Sequence, residues 1–228
     1  MNSRAFSSAC LASALWLGGC DMMALDNYEP PSSVLSGRVV WEGRPIGVRS
    51  NGVQLELWQP GFELNQKIPI YVSQDGSFSA VLFDGRYKLN LLAGNGPWVD
   101  SQDTILIDLK GRAEVDVPVR PYYTIEQEVV GYRDGQIEAT FRIGQVETSR
   151  ALEYVGLYVS TTSFVDRTNM VVRNEVPRSA LGSLDDPVQL SVALTPALLE
   201  RENVFVRIGV KTVGVAELLF SPVYKVSL

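Results

Sequence analysis

The sequence predicts an all-β protein with two antiparallel β-sandwich domains in tandem, preceded by a signal peptide and a flexible tether. Along most of the chain, apolar and polar residues alternate with the period of two that is typical of a sheet with one buried face. Short turn motifs rich in Asp and Gly separate these runs at the spacing found in sandwiches. At the N-terminus, an apolar run ends in two glycines and a cysteine, which is typical of an exported chain.

The N-terminal segment predicts export and lipidation. Arg4 precedes an apolar run over residues 5–17, which is shorter than the roughly 20 residues that a membrane-spanning helix needs. The sequence Leu17-Gly18-Gly19-Cys20 looks like a bacterial lipobox, in which small residues fit the signal peptidase and the cysteine thiol takes the diacylglycerol. We expect a signal peptide over 1–19, a lipid on Cys20 and a polar tether over 20–33. The alternative is an ordinary signal peptide with an incidental cysteine.

Composition excludes several classes of function. Histidine is absent, which removes Ser-His-Asp and Cys-His catalysis and histidine metal sites. Cys10 leaves with the signal peptide, so Cys20 is the single cysteine of the mature chain and no disulfide forms within it. The net charge of −6 disfavours nucleic acid as a partner, and also adhesion to an anionic membrane surface by charge. We therefore expect no catalytic residues, no metal and no cofactor.

The first sandwich is predicted over residues 34–121. Its strands follow alternating runs, among them Val53-Gln54-Leu55-Glu56-Leu57-Trp58, and its turns fall at Asp75-Gly76, Asp84-Gly85 and Lys110-Gly111. Pro118 and Pro121 mark a short, semi-rigid junction.

The second sandwich is predicted over 122–228. The stretch Tyr132-Arg133-Asp134-Gly135-Gln136 is a strong hairpin signal. Thr195-Pro196 favours a helix of one or two turns, because Thr is a good N-cap and Pro a good first residue.

The first domain resembles the carboxypeptidase-regulatory-like, or transthyretin-like, sandwich. The residues that carry this resemblance are Leu35-Ser36-Gly37-Arg38-Val39-Val40, Gly43-Arg44-Pro45-Ile46, Asp75-Gly76-Ser77-Phe78 and Gly85-Arg86-Tyr87.

The whole mature chain resembles a Bacteroidetes-type two-domain lipoprotein family of unassigned function, whose second domain is fibronectin- or immunoglobulin-like. The resemblance rests on Asp26-Asn27-Tyr28-Glu29-Pro30-Pro31, Gly94-Asn95-Gly96-Pro97-Trp98, residues 117–122 and residues 221–226. It implies an outer-membrane lipoprotein encoded beside starch-utilisation-type (SusC/SusD-like) receptor pairs that import glycans. The run of acidic residues that often follows the cysteine of surface-exposed lipoproteins is lacking after Cys20, so the periplasmic and cell-surface sides both stay open.

Two tryptophans are the first candidates for ligand contact. Alternation places Trp58 on the polar face with Gln54 and Glu56. An exposed indole at this position could stack on the apolar face of a pyranose ring. Alternatively, the loop at 60–66 or the second domain covers the Trp58 side chain. Trp98 lies in a loop rich in Gly and Pro, and loops often carry function; alternatively, it plugs one end of the sandwich. Trp41 alternates with Val39 and is assigned to the core.

Tyr122 and Tyr123 follow the junction, where ligand clefts often form; alternatively, they hold the two domains together.

Phe164 is a weaker exposed candidate. Glu126 and Glu128 fall on one strand face about 7 Å apart, but no glycosidase motif surrounds them. Asp100 and Asp103 offer a weak alternative as calcium ligands.

These observations predict a non-catalytic outer-membrane lipoprotein, an accessory component of a polysaccharide uptake system that binds glycan through exposed aromatic side chains. The alternative is a structural or assembly subunit that docks an outer-membrane receptor or another protein without binding sugar.

Overall fold

The computed structural model describes residues 29–61 and 66–228. The predicted signal peptide, Cys20 and the greater part of the tether lie outside the described residues. Among those that are described, no helix is both long and apolar enough to cross a membrane. The predicted all-β class is confirmed, with several antiparallel sheets arranged as two tandem sandwiches.

Strands dominate both halves of the described chain. The elements are β1 (Ser33–Trp41), β2 (Arg44–Pro45), β3 (Gln54–Trp58), β4 (Lys67–Tyr71), β5 (Ser77–Leu82), β6 (Gly85–Leu91), β7 (Thr104–Leu109), β8 (Arg112–Pro118), β9 (Tyr123–Arg133), β10 (Gln136–Gln145), β11 (Leu152–Ser160), β12 (Val172–Pro177), β13 (Val188–Ala193), α1 (Pro196–Leu199), β14 (Asn203–Thr212), β15 (Leu219–Phe220) and β16 (Tyr224–Ser227).

Two sheets form the N-terminal sandwich. In sheet I, β1 lies between β5 and β8, and β2 pairs with the end of β1; sheet II has the order β4-β3-β6-β7. Alternation along β3 is as predicted, with Leu55 and Leu57 in the core and Gln54, Glu56 and Trp58 on the outer face. The pairing of β1 with β8 is parallel, which departs from the predicted antiparallel arrangement. The first and last strands of this sandwich run in the same direction, so pairing them closes the sheet in parallel.

The Asp-Gly turns of this domain connect the two sheets rather than neighbouring strands. Asp75-Gly76 leads from β4 of sheet II to β5 of sheet I, and Asp84-Gly85 leads back to β6. Gly76 has φ +83° and sits against the backbone of Ile46, a position that admits no side chain. Short turns therefore occur where predicted, but they cross the core.

The C-terminal sandwich packs sheet III (β13-β10-β9) against sheet IV, in which β14 pairs with β11, β15 and β16, and β12 pairs with β11. The predicted hairpin joins β9 to β10, with Asp134 at φ 48° and Gly135 at φ 81°. Both positive φ values fit the two-residue type I′ turn that Asp-Gly favours. Helix α1 has one turn, as expected, although the Thr195 side chain makes no capping hydrogen bond.

Residues 31–228 form one compact unit, so the two sandwiches pack against each other without a free linker. Between β8 and β9, Pro121 bridges Trp98, and the Tyr122 amide donates to the carbonyl of Pro97 at 3.3 Å. The loop that holds Trp98 thus lies directly on the chain that joins the two domains.

Candidate functional site

Three of the predicted ligand residues have buried rings. Trp98 is 3% exposed within the N-terminal core, and its indole lies so close to Gly96 that a Cβ there would be 2.1 Å from Cε2. Tyr122 and Tyr123 lie in the C-terminal core, where the Tyr123 hydroxyl donates to the carbonyl of Arg150 at 3.1 Å. The expectation that these rings face a ligand is corrected: Trp98 fills one end of its sandwich, and the tyrosines belong to the core of the second domain.

The loop from Gly94 to Asp100 is held by its own polar groups. The Asn95 side chain accepts from the Gln54 amide at 2.5 Å and donates to the carbonyl of Gly52 at 3.3 Å. The Asp100 carboxylate accepts from the Gly94 amide at 2.7 Å. Within residues 29–61 and 66–228, no group of three or more potential ligands is placed to hold a metal ion. The Gly-rich motif therefore fixes a tight turn that seats Trp98.

Trp58 stays at the surface. It is half-buried on the outer face of sheet II, opposite Lys67 on β4 and Lys88 on β6. The Lys67 ammonium forms an ion pair with the Glu56 carboxylate at 2.8 Å. Leu106 on β7 lies opposite Lys88 in the register of the sheet. The face predicted for Trp58 is confirmed, and a lysine stands opposite it in the register of each neighbouring strand.

The seam between the sandwiches is organised around the buried Arg207. Its guanidinium donates to the carbonyls of Val48 and Gln74 in the first domain, at 3.0 and 2.9 Å, and to those of Val165 and Ser221 in the second, at 3.3 and 2.9 Å. Its Cζ also lies 4.6 Å from the centroid of the Phe220 ring. Burial lowers the pKa of Arg207 to about 10, so it remains a cation at neutral pH.

Two further contacts fasten the same seam. Arg49 forms a bidentate pair with Glu217, with distances of 2.7 and 3.1 Å. Gly47 forms a bridge with Phe220, whose carbonyl would be 2.3 Å from any Cβ placed on Gly47. The domains are thus held in one fixed relation, and any cleft between them is preformed.

A cleft of about 600 Å³ opens beside this seam, and we call it the junction cleft. It is lined by Trp41 and the β1–β2 turn, by the start of β9 and by the segment around β15. Its lining residues are Trp41, Glu42, Arg44–Gly47, Thr124–Glu128 and Leu219–Pro222.

A second hollow of about 530 Å³ shares Trp41 and Glu42 with the junction cleft. It continues past Val99, Asp100 and Arg120. Trp41 is half-buried and stands where the two hollows meet. The two hollows are therefore neighbours that share the Trp41 side chain in their lining.

Two residues that line the junction cleft have positive φ angles. Glu42 has φ 50° and Gln127 has φ 54°, a region that side chains other than Asn and Asp seldom adopt. Gln127 lies at a β-bulge, because the pairing of β9 with β10 shifts between Val129↔Thr140 and Glu126↔Arg142. Strained positions of this kind cluster at functional sites.

Glu126 and Glu128 were expected to lie on one face of a regular strand. The bulge at Gln127 interrupts the alternation between them, so this expectation is wrong. Glu126 accepts from the Thr124 hydroxyl at 2.7 Å. Burial, together with the nearby Glu128 carboxylate, raises the pKa of Tyr224 to about 12, so this phenol remains a donor to Glu128. The carboxylates thus have partners of their own and line the cleft as hydrogen-bond acceptors.

Trp41, which was assigned to the core, does pack against the core of the N-terminal sandwich, but its side chain is only half-buried. Alternation identified its inward face correctly, since Leu35 and Val39 on that face are fully buried. Trp41 is the last residue of β1 and leads into the Glu42-Gly43 turn, and it is less buried than Leu35 and Val39 on the same face. A tryptophan at the last position before a turn was the available signal.

Both halves of this architecture match described domains. Residues 33–120 match "Protein of unknown function (DUF3823) N-terminal domain", and residues 123–225 match "Domain of unknown function (DUF3823_C)". The chain belongs to the DUF3823 family. No curated protein matches the chain.

Solved DUF3823 structures share the two-domain body. A family member from Bacteroides ovatus is 32% identical with a TM-score of 0.80, and the match covers 86% of this chain and 99% of that one. A member from Parabacteroides merdae is 33% identical with a TM-score of 0.80, covering 87% and 100%. A Bacteroides uniformis structure named "putative carbohydrate binding protein" has 18% identity and a TM-score of 0.71 over 87% and 100%, which shows a shared fold.

Proposed function

We propose that this DUF3823 protein is a non-catalytic outer-membrane lipoprotein that binds a glycan in the junction cleft, as an accessory component of a polysaccharide uptake system. The observation that carries the proposal is the half-buried Trp41 ring at the meeting point of two hollows lined by carboxylates and Arg44. The name of the Bacteroides uniformis structure lends the same ligand class some support.

The chemistry of the cleft suits a saccharide. An indole covers the apolar face of a pyranose ring, while carboxylate and guanidinium groups bond its hydroxyls. Glu42, Glu126 and Arg44 supply such groups around Trp41. Because the seam holds the walls in place, little conformational entropy is lost when a ligand binds.

Binding without turnover is the preferred proposal because no glycosidase motif surrounds the paired carboxylates Glu126 and Glu128, and because the sequence contains no histidine. Glu126 accepts from the Thr124 hydroxyl at 2.7 Å, and Glu128 lies beside the Tyr224 phenol.

Membrane attachment through Cys20 is part of the proposal and rests on the lipobox sequence. Expression with radiolabelled palmitate tests it: the native chain should incorporate label and fractionate with the outer membrane, and Cys20→Ala should do neither. Label retained by Cys20→Ala would contradict lipidation at this residue.

Affinity electrophoresis of residues 26–228 against a panel of polysaccharides tests the glycan proposal. Retardation by a glycan should be lost in Trp41→Ala and largely kept in Trp41→Phe. Trp58→Ala is the matched control, because it removes an indole from a different face of the same sandwich. Trp98 is unsuitable as a probe, since its replacement would empty the core.

The assembly role is the second candidate, and exposed apolar residues favour it. Leu106 is 75% exposed on β7 and Val129 is 70% exposed on β9. Co-purification of an outer-membrane receptor with the native chain, lost on Val129→Lys while glycan retention is unchanged, would support docking as the role of that strand.

A further inference from the structure

Trp41 and Arg44 stand side by side in the lining of the junction cleft. They flank the Glu42-Gly43 turn and are directly opposite each other in the pairing of β1 with β2. Opposite residues of an antiparallel pair project from the same face, with their Cβ atoms about 5 Å apart. Within the described residues, Arg44 has no carboxylate at ion-pair distance. The hairpin therefore presents an indole together with a guanidinium whose donors are available to a ligand.

Carboxylates outnumber guanidinium groups in the lining of this cleft. Glu42, Glu126 and Glu128 are lining residues, and Arg44 is the cation among them. Glu42 and Glu126 are exposed, and Glu128 is half-buried. The junction cleft is therefore formally anionic, like the chain as a whole.

The neighbouring hollow has the same sign of charge. Its lining includes Asp100 and Asp103 in addition to Glu42, against the single cation Arg120. The Arg120 guanidinium lies 3.3 Å from the Glu147 carboxylate, which offsets its charge. A ligand that extended from Trp41 into either hollow would therefore meet an excess of carboxylates.

The other cations described beside the junction cleft have partners of their own. The Arg207 guanidinium lies beneath Gly47, but it is buried, donates to four carbonyls and interacts with the buried carboxylate of Asp166. Arg142 stands opposite Glu126 in the pairing of β9 with β10, yet its guanidinium donates to the carbonyl of Asp185 at 2.6 Å. Neither cation reverses the sign of charge that a ligand meets.

This excess of negative charge disfavours an acidic polysaccharide. A chain with repeated carboxylate or sulfate groups that stacked on Trp41 would bring anions next to the lining carboxylates, and like charges placed together weaken binding. An uncharged chain presents hydroxyls, which donate to carboxylates and accept from Arg44. The lining therefore distinguishes glycans by charge.

We infer that the junction cleft is selective for uncharged polysaccharides: Trp41 and Arg44 contact the sugar, and Glu42, Glu126 and Glu128 exclude chains that carry carboxylate or sulfate groups. The inference rests on the proposed glycan-binding role of this cleft and names the class of glycan that it takes.

Affinity electrophoresis of residues 26–228 against matched polymers tests the inference. This fragment contains the compact unit 31–228. The pairs share a backbone and differ in charge: dextran with dextran sulfate, hydroxyethyl cellulose with carboxymethyl cellulose, and methyl-esterified galacturonan with polygalacturonate. At low ionic strength, an uncharged polymer that retards the fragment should bind at least about tenfold more tightly than its acidic counterpart.

The double variant Glu42→Gln/Glu126→Gln should strengthen binding of the acidic counterpart by about tenfold and change binding of the uncharged polymer by less than about threefold, because Gln keeps an acceptor and loses the charge. Glu200→Gln/Glu202→Gln is the control, since it makes the same change in net charge at exposed positions that line neither hollow. An equal gain in both variants would refute selection by the cleft.

Added salt tests the electrostatic cause. The preference for the uncharged polymer should shrink severalfold at about 0.5 M salt, because salt screens exposed charges. A preference that is unchanged at this salt concentration would overturn the electrostatic basis of the inference.

The inference and the glycan proposal fail separately. If an acidic polymer retards the fragment as strongly as its uncharged counterpart, and Trp41→Ala abolishes both effects, the cleft binds glycan but the inference is wrong. If no polymer of either kind retards the fragment, the proposed function fails and the inference fails with it.

Discussion

Replacing Arg207 with Met should destabilise the whole two-domain body. The change removes four hydrogen bonds to carbonyls, two in each sandwich, and the contact with the Phe220 ring. A buried acceptor left without a donor costs about 1–3 kcal/mol. The carbonyl of Gln74 keeps a second donor, the Val48 amide at 3.2 Å, so its loss is smaller.

An opposing contribution reduces the total. Arg207 is a buried cation whose pKa is lowered by desolvation, so replacing it with an apolar side chain recovers part of that cost. We expect a net loss of about 3 kcal/mol in the free energy of unfolding. For a body of this size, that lowers the melting temperature by roughly 6–12 °C.

Urea and thermal denaturation, followed by circular dichroism, measure this loss. Arg201→Met is the control, since it makes the same substitution at an exposed position and should change stability by less than about 0.5 kcal/mol. The native chain should unfold in one transition, and Arg207→Met should separate the two sandwiches. A decrease of less than about 1 kcal/mol in the free energy of unfolding, with a single transition retained, would refute the role of Arg207 in holding the two sandwiches together.

Three other predictions follow from the same contacts. Glu42→Asn should raise the free energy of unfolding in urea by about 0.5–1 kcal/mol, because Asn-Gly suits the type I′ turn at φ 50° and 75°; no gain would mean that Glu42 is not strained. Gly47→Ala should weaken the seam by more than about 2 kcal/mol, since its Cβ would meet the carbonyl of Phe220 at 2.3 Å, and a thermal melt equal to that of the native chain would contradict this. Burial raises the pKa of Glu175, but hydrogen bonds from Arg167 and Tyr158 outweigh burial and lower the pKa below its ordinary value of 4.5. The free energy of unfolding of the native chain should therefore exceed that of Glu175→Gln by a constant amount above about pH 5, and this difference should vanish as the pH falls through the folded-state pKa. A difference that persists to the lowest pH would disprove the pairing.

The fold was largely predictable because sheet periodicity is a local property. Leu55 and Leu57 alternate with polar neighbours, and Asp134-Gly135 specifies its own turn, so face and hairpin follow from a few residues. The parallel pairing of β1 with β8 was not predictable, because strands separated by about 70 residues carry no local signal of their order in a sheet.

The candidate site was harder to predict for a related reason. Alternation assigned Trp41 to an inward face, but it says nothing about where the opposing sheet stops covering that face. Trp98 and the tyrosines lie in segments that resemble exposed loops, yet Trp98 packs into the core of the first sandwich and the tyrosines pack into the core of the second. The clamp at Arg207 was equally hidden, since an arginine within the apolar strand β14 finds its partners in distant loops.

The most direct test of the central claim is the dissociation constant of the native fragment and of Trp41→Ala for the glycan that retards it. Calorimetric titration should show a loss of about 30-fold in Trp41→Ala, corresponding to the roughly 2 kcal/mol of a central tryptophan contact, with Trp58→Ala close to the native value. An unchanged dissociation constant in Trp41→Ala, or no retarding glycan across a broad panel, would contradict glycan binding in the junction cleft.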